Sequence, residues 1–328
     1  MDMKKNNIIL GIALAASLCS CEYKDLDEDI ILETYPVTVD FAWENIDSIP
    51  RSFRLAVYPA DKSTYINKEK RAVFDVYNKR HTIYLPVGNY NMVAWNNDGE
   101  HIITAGYDEQ KTLYATTQKL AAEETFMPKV VDSLKVNRDI RDYPDYLTHY
   151  VAENFKVIRT EDGDSNIVVV HPDSMVIRVD VRVNGIGGLT WIKQAKGLIT
   201  DVAAKRLLSF DKLTEDTCSV MFDCEWKERD SLVYSTFYIF DKLDNLHRVK
   251  DFRKEKQQIM YLFFWLDNGN VYIPINISRY LAKRREEDKL IVIDIPSLGI
   301  DLRNYISSDS GFFISIDEWE GEYIDVGI

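Results

Sequence analysis

The sequence predicts an all-β protein, two tandem β-sandwich domains behind a secretory leader and an acidic tether. Three observations carry that prediction. Segments that alternate apolar and polar residues recur at roughly 8–12-residue spacing, with Gly, Pro, Asn and Asp between them, the rhythm of a sandwich. With 328 residues, 46% hydrophobic and 12% aromatic, the chain is long for one β-domain and comfortable for two. After Leu18 no apolar run approaches a membrane-spanning length.

The leader comes first. Lys4 and Lys5 precede Ile8 to Leu18, eleven uncharged residues. As a helix they would rise only about 16 Å, roughly half a bilayer core. A basic start, a short apolar core and small Ser20 before the cut describe a signal peptide over residues 1–20. Leu18-Cys19-Ser20-Cys21 resembles a bacterial lipobox, which is cut before the cysteine, whose sulfur then carries a diacylglycerol. Cys19 fits less well, because bulky Leu18 would take the small-residue position. The alternative is a plain secretory signal with an incidental cysteine. Two or three acyl chains on Cys21 exceed what stable membrane anchoring requires.

Residues 21–34 form the expected lipidated tether. Six acids and one Lys lie between Glu22 and Thr34. Such a segment is a solvated, disordered connector. With Asp25, Asp27, Glu28 and Asp29 it also resembles the surface-export signal of Bacteroidetes lipoproteins.

The whole chain carries a net charge of -13. Removing residues 1–20 takes away two Lys and one acid and leaves -14. An acidic chain with no basic stripe argues against nucleic acid as a partner. Cys218 and Cys224 are six residues apart, about 20 Å on one extended strand and too far to bridge, unless a turn between them lets them pair. No Cys/His spacing suits zinc.

The first sandwich is expected over residues 35–172. Tyr35 to Trp43, Ser52 to Tyr58, Arg71 to Tyr77, His81 to Leu85 and Tyr90 to Trp95 read as strands, and Asn96-Asn-Asp-Gly99 as a turn. Asp108 to Leu120 could be strand or loop. Met127 to Tyr150 reads as a long connection with one helical turn at most. Regularity returns at Asn154, and Ile167-Val-Val-Val170 follows a turn. His171-Pro172 marks the boundary.

The second sandwich is expected over residues 173–328. In Met175 to Val183, Arg178, Asp180 and Arg182 face out while Ile177, Val179, Val181 and Val183 face a core. Leu189 to Val202 fits a hairpin or a short helix. Thr217 to Trp226, Leu232 to Phe240, Met260 to Leu266, Val271 to Pro274 and Lys289 to Ile295 read as strands. Asn276 could cap a short helix whose Ile277, Tyr280 and Leu281 share a face. Ile324, Val326 and Ile328 alternate up to the last residue. They suit a strand exchanged with a neighbour, or the last strand of their own sheet.

Several phrases carry a family resemblance. Leu85-Pro-Val-Gly-Asn-Tyr90, followed by Met92 to Asn96, resembles a strand of transthyretin-like sandwiches; Pro and Gly make the turn and Tyr caps the core. Val179 to Gly185 resembles the first strand of a second such domain. Leu266 to Gly269, with Ile273 and Asn276-Ile-Ser278, resembles the family's penultimate hairpin, and Gly311 to Trp319 its closing strand. With Cys21 in front, the chain resembles the fimbrillin-associated anchor lipoproteins of Bacteroidetes, the FimB-like minor fimbrium anchoring subunits. The resemblance implies two transthyretin-like sandwiches and lipid attachment through Cys21 to the outer membrane, facing the cell surface at the base of a fimbrium. It also implies pilin subunits as partners, bound by β-strand addition. It brings no catalytic residue and no cofactor.

Enzyme motifs are absent from the sequence. There is no G-x-S-x-G, H-E-x-x-H or P-loop, and Gly185-Ile-Gly-Gly188 lacks the third glycine of a dinucleotide fingerprint. The chain is therefore expected to be non-enzymatic. Asp162-Gly-Asp164-Ser-Asn166 has oxygens at calcium-like spacing but lacks the glycine and the terminal Glu of a calcium loop. Trp95, Trp191, Trp226, Trp265 and Trp319 suit core packing. Exposed together, they would suit the alternative function, a surface glycan-binding lipoprotein of a polysaccharide-uptake system.

Overall fold

The computed structural model describes residues 32–44, 49–61, 63–64, 66, 70–121, 139–161, 165–210, 212–241, 258–267, 269–282, 289–305 and 312–313. Residues 35–328 belong to one compact unit. Its first half runs through β1 (Thr34–Phe41), β2 (Phe53–Pro59), β3 (Ala72–Val76), β4 (Arg80–Pro86), β5 (Gly88–Asn96), β6 (Ile102–Ala105), β7 (Tyr114–Thr117), β8 (Ile140–Asp142), β9 (Thr148–Val157) and β10 (Ile167–Val170). The second half runs through β11 (Asp173–Ser174), β12 (Ile177–Val183), β13 (Ile186–Gly187), β14 (Ile192–Ala203), β15 (Lys205–Leu207), β16 (Lys212–Leu213), β17 (Thr217–Asp223) and β18 (Glu225–Lys227). After these come β19 (Leu232–Ile239), β20 (Ile259–Leu266), β21 (Gly269–Asn276), the short helix α1 (Ser278–Ala282), β22 (Leu290–Ile295), β23 (Ile300–Asp301) and β24 (Phe312–Phe313). The chain is all-β, as the alternation predicts.

The strands pair into two sandwiches. Sheets β10-β1-β4 and β11-β9-β5-β2-β3 enclose a core of Val37, Val39, Phe41, Leu55, Ile83, Leu85, Tyr90 and Met92. Sheets β18-β19-β12-β22 and β24-β21-β20-β14-β17-β8 enclose a second core that includes Val179, Val181, Phe222, Phe237, Leu262, Phe264 and Ile293. Local chemistry accounts for many of these elements. On β12 the charged residues face out and Ile177, Val179, Val181 and Val183 are buried, the pattern of a half-buried strand. In the Leu85–Tyr90 phrase, a Cβ on Gly88 would sit 2.5 Å from Thr64 Cγ2. Tyr90 is fully buried, and its hydroxyl donates to Pro86 O at 2.8 Å. At α1 the Ser278 amide donates to Asn276 Oδ1 at 3.0 Å, and Ile277 and Leu281 enter the core.

Two expectations need correction. Residues 139–150 are not a plain connection: β8 runs parallel to β17, with Ile140 opposite Ser219, and β9 begins at Thr148 rather than Asn154. A three-residue strand has no local signature; it exists because its partner, some eighty residues on, supplies the ladder. Leu189 to Val202 is neither hairpin nor α-helix. A single 3-10 turn leads into β14, twelve residues long, in the six-stranded sheet. Its alternation is blurred because both faces of that sheet are apolar; Leu198, Met221, Tyr261, Phe263 and Tyr272 form a separate cluster there. Cys218 and Cys224 stay unpaired, as their separation along an extended strand leads one to expect. Both are free and buried, and desolvation pushes the Cys218 thiol up to about 12 and raises that of Cys224 as well.

The sandwiches share a joint. The sheet β16-β15-β7-β6 takes two strands from each half, with Lys205 opposite Thr116 and Leu207 opposite Tyr114. Ala56, Tyr58, Val93 and Trp95 of the first half pack there with Met175, Val176, Ala203, Leu208 and Phe240. Arg206 lies within the joint at 7% exposure; its Nη1 donates to Met175 O at 2.7 Å and to Phe240 O at 2.8 Å. Arg141 donates to Thr116 Oγ1 at 2.7 Å, and Thr116 Oγ1 donates to Ala204 O at 2.8 Å.

Two substitutions test this packing. A Cβ at Gly197 would lie 2.1 Å from the Phe222 ring, which stacks on Phe237 with centroids 3.9 Å apart. Gly197→Ala should cost about 1–3 kcal/mol by overpacking, read from the shift in a denaturant midpoint. Arg206→Met keeps the apolar stem but leaves two buried carbonyls without that donor. It should cost about 1.5–3 kcal/mol in the same measurement, and an unchanged midpoint would show the joint does not depend on it.

Candidate functional site

β1 is the first described strand of the folded unit. Tyr35, Val37, Val39 and Phe41 point inward and are at most 7% exposed. On one flank β1 runs parallel to β10, in register from Thr38 opposite Ile167 to Phe41 opposite Val170. On the other it neighbours β4. Asn166 latches the start of this ladder. Its backbone oxygen accepts from the Thr38 amide at 2.8 Å. Its side-chain Nδ2 donates to Pro36 O at 3.1 Å and Ile158 O at 3.0 Å, while Oδ1 accepts from the Ile158 amide at 3.0 Å. At the other end, the Ala42 amide donates to Val170 O at 2.8 Å and the Phe41 amide to Lys79 O at 2.9 Å. The Phe41 ring stacks on Trp43 at 5.1 Å and tilts against Phe53 at 4.6 Å.

β10 ends its sheet. Val168 and Val170 enter the core, while Ile167 and Val169 are 49% and 44% exposed. Ile158, held beside them by Asn166, is also exposed. Natural edge strands are guarded by Lys, Pro, inward charges or bulges. β10, Ile-Val-Val-Val, has no such residue. The second sandwich repeats the arrangement: β22 is an edge strand parallel to β12, with Leu290 and Val292 exposed. That strand carries Asp294, and Lys289 before it donates to Ser174 O at 2.8 Å. By residue type β10 is the less guarded of the two, although at four residues it is also the shorter, and an extended segment could add its backbone there while side chains fill alternate positions.

A shallow depression of about 400 Å³ lies where the halves meet, lined by His149, Tyr150, Glu153, His171, Asp173 and Phe210 among others. The turn bearing Phe210 is pinned. The Leu208 amide donates to Leu113 O at 3.0 Å, His149 Nδ1 lies 3.1 Å from Leu208 O, and Ser209 Oγ donates to Gln110 O. Phe210 is 49% exposed in spite of this anchoring.

The residues singled out from the sequence fall elsewhere. Cys21, Asp25, Asp27, Glu28 and Asp29 lie outside the described residues, as do Ile324, Val326 and Ile328, and Asp162 and Asp164 of the calcium-like loop. The last described element, β24, runs parallel to β21 with Phe313 opposite Tyr272. Among the described residues no three His, Cys, Asp or Glu side chains are grouped to hold a metal ion. Trp95 is core; Trp226 and Trp265 pack on cores, and Trp191 alone of the described tryptophans in that set is exposed. Sequence reasoning missed the open edge at β10 and the latch at Asn166. The uncharged run Ile167 to Val170 was a usable signal for the first; nothing in the sequence distinguishes Asn166 from an ordinary turn residue.

The fold recurs in solved structures at low identity. A candidate adhesin from Bacteroides ovatus ATCC 8483 matches with a TM-score of 0.58 and 16% identity, over 84% of this chain and 98% of that one. A candidate polysaccharide-binding protein from Bacteroides thetaiotaomicron VPI-5482 matches at 0.50 and 14% identity, over 81% of this chain and 93% of that one. Such likeness shows the fold alone. A looser match, 0.43 at 15% identity over 79% of this chain and 91% of that one, is to the fimbrial anchor protein Mfa2 from Porphyromonas gingivalis, and it carries no argument. No curated protein matches. One family model covers residues 20–223, more than half the sequence and including both β1 and β10, and by that match the chain belongs to the family described as Domain of unknown function (DUF5119).

Proposed function

We propose that this chain is a cell-surface lipoprotein, held in the outer membrane by lipid on Cys21, that serves as an anchor or accessory subunit of a fimbrium and binds pilin by β-strand addition. The observation that carries the reading is the unguarded edge of β10 beside the strand that receives the tether. An anchor needs a fixed end and a docking end. The sequence before residue 34 offers the first, through the lipobox and the acidic segment, and β10 offers the second. The alternating residues Ile324, Val326 and Ile328 are a further segment whose sequence suits exchange. The chemistry of the reading is backbone pairing and apolar fit, and no reacting group takes part.

One observation favours a second reading, glycan binding: the pinned Phe210 beside the carboxylates and imidazoles of the depression. An apolar ring face with convergent polar groups is the general make-up of a small-ligand site.

The fixed end is tested in cells. Cys21→Ala should move the protein from the membrane to the soluble fraction, and continued membrane retention would remove the lipid anchor. Replacing Asp25, Asp27, Glu28 and Asp29 by Asn or Gln should hide the protein from external protease; unchanged accessibility would reduce the segment to a connector. The docking end is tested by capture. Val169→Lys guards the β10 edge without touching the core and should abolish recovery of pilin from detergent extracts, whereas Val292→Lys on β22 should leave it intact. Equal recovery with both would exclude β10 as the site. Recovery of a glycan and no pilin would transfer the function to the depression.

A further inference from the structure

β1 and β10 are parallel neighbours, one receiving the tether and the other offering the open edge. We propose that they form a shear strap, in which tension arriving along the tether is taken lengthwise by the β1–β10 ladder and by the Asn166 latch. The proposal rests on the reading above for where tension would arise, since that reading makes Cys21 the fixed end and β10 the docking edge.

The direction of the strands decides how the ladder fails. In a parallel pair the N-terminal end of one strand and the C-terminal end of the other lie at opposite ends of the ladder. Drawing those two ends apart stretches every bond at once. Drawing the two N-terminal ends apart opens the bonds one after another. Each backbone bond is individually modest, so simultaneous loading is what confers resistance. The tether pulls β1 from its N-terminal end. A partner strand along β10 resists over the length of that strand, so the ladder is loaded in shear.

The details of β1 suit this role. It is hydrogen-bonded on both flanks, to Asn166 and Val170 on one side and to Lys79 on the other. Asn166 bridges Pro36 to Ile158 through its side chain, so the first residues of β1 cannot slide without breaking a buried network. At the other end Phe41 is wedged between Trp43 and Phe53. Pulling β1 toward its N-terminus would draw that ring, 1% exposed, through the core. Close packing makes such a displacement all-or-none rather than gradual.

Optical-trap pulling on the unlipidated chain from residue 21 onward tests the strap. One handle is attached through the Cys21 thiol; Cys218 and Cys224 are buried, with raised thiol pKa values, and do not compete. The second handle sits either at His171→Cys, just past the C-terminal end of β10, or at Ser165→Cys, just before its N-terminal end; both positions are exposed. The first attachment loads the ladder in shear and should rupture at a force several-fold above the second. Asn166→Ala should bring the first force down toward the second. Asn166→Asp, which keeps the acceptor and loses the two Nδ2 donations, serves if the alanine variant does not fold, and should fall between. Equal forces from the two attachments, or a shear force indifferent to loss of the Asn166 side chain, would overturn the proposal. The experiment involves no lipid and no pilin. A missing strap therefore leaves the anchoring reading standing, and failure of Cys21 acylation leaves the strap standing.

Discussion

A buried guanidinium in the joint is the constraint on which the arrangement of the two sandwiches depends. Arg206 places a charge in an apolar layer, where desolvation is expensive unless fixed dipoles replace water. Met175 O and Phe240 O supply those dipoles. Met175 belongs to the passage between the sandwiches and Phe240 directly follows β19, so one side chain ties the crossing point to the second sandwich. Arg206 itself sits on β15, whose ladder partner β7 comes from the first half. The polar requirement of one group thus fixes three segments at once. Apolar packing of Trp95, Leu147, Val176 and Leu208 around it is less directional and would tolerate more than one arrangement.

The two sandwiches solve the same problem in the same way. In each, the first strand lies inside a sheet and takes a parallel partner that ends that sheet, β10 for β1 and β22 for β12. A parallel partner cannot come from a hairpin, so in each half a strand from late in the sequence returns beside the first. The result is an edge strand whose inward residues are needed by the core and whose outward residues are aliphatic but for Asp294 of β22. Edges of this kind are usually guarded. β22 has Asp294 and Lys289 nearby, and β10 has nothing comparable. That difference in charge is what the proposed docking of a strand at β10 rests on.

The joint also places a mixed polar and aromatic surface beside the first sandwich. Phe210 is held out by a turn whose neighbours are bonded into the joint, so its exposure follows from the packing of Leu208 beneath it. The same sheet that ties the halves together therefore shapes a part of the surface where aromatic and titratable side chains converge around a depression.

Much of this was legible in the sequence, and the reason is local. The period-two alternation of Ile177 to Val183 determined which side of β12 is buried, because successive side chains on a strand point to opposite faces. Pro86, Gly88 and Tyr90 determined a turn and a core cap, and Asn276 a helix start, because each acts within a few residues of itself. The chemistry of the Ser20-Cys21 junction belongs to the sequence alone. Only the tertiary structure decided that β8 is a strand, that β14 lies inside a sheet apolar on both faces, that Arg206 is buried, and that Asn166 latches β1. It also decided that Ile167 to Val170 forms an edge. Each of these depends on a partner far away in the sequence, and a strand's place in its sheet is settled by what pairs with it rather than by its own residues.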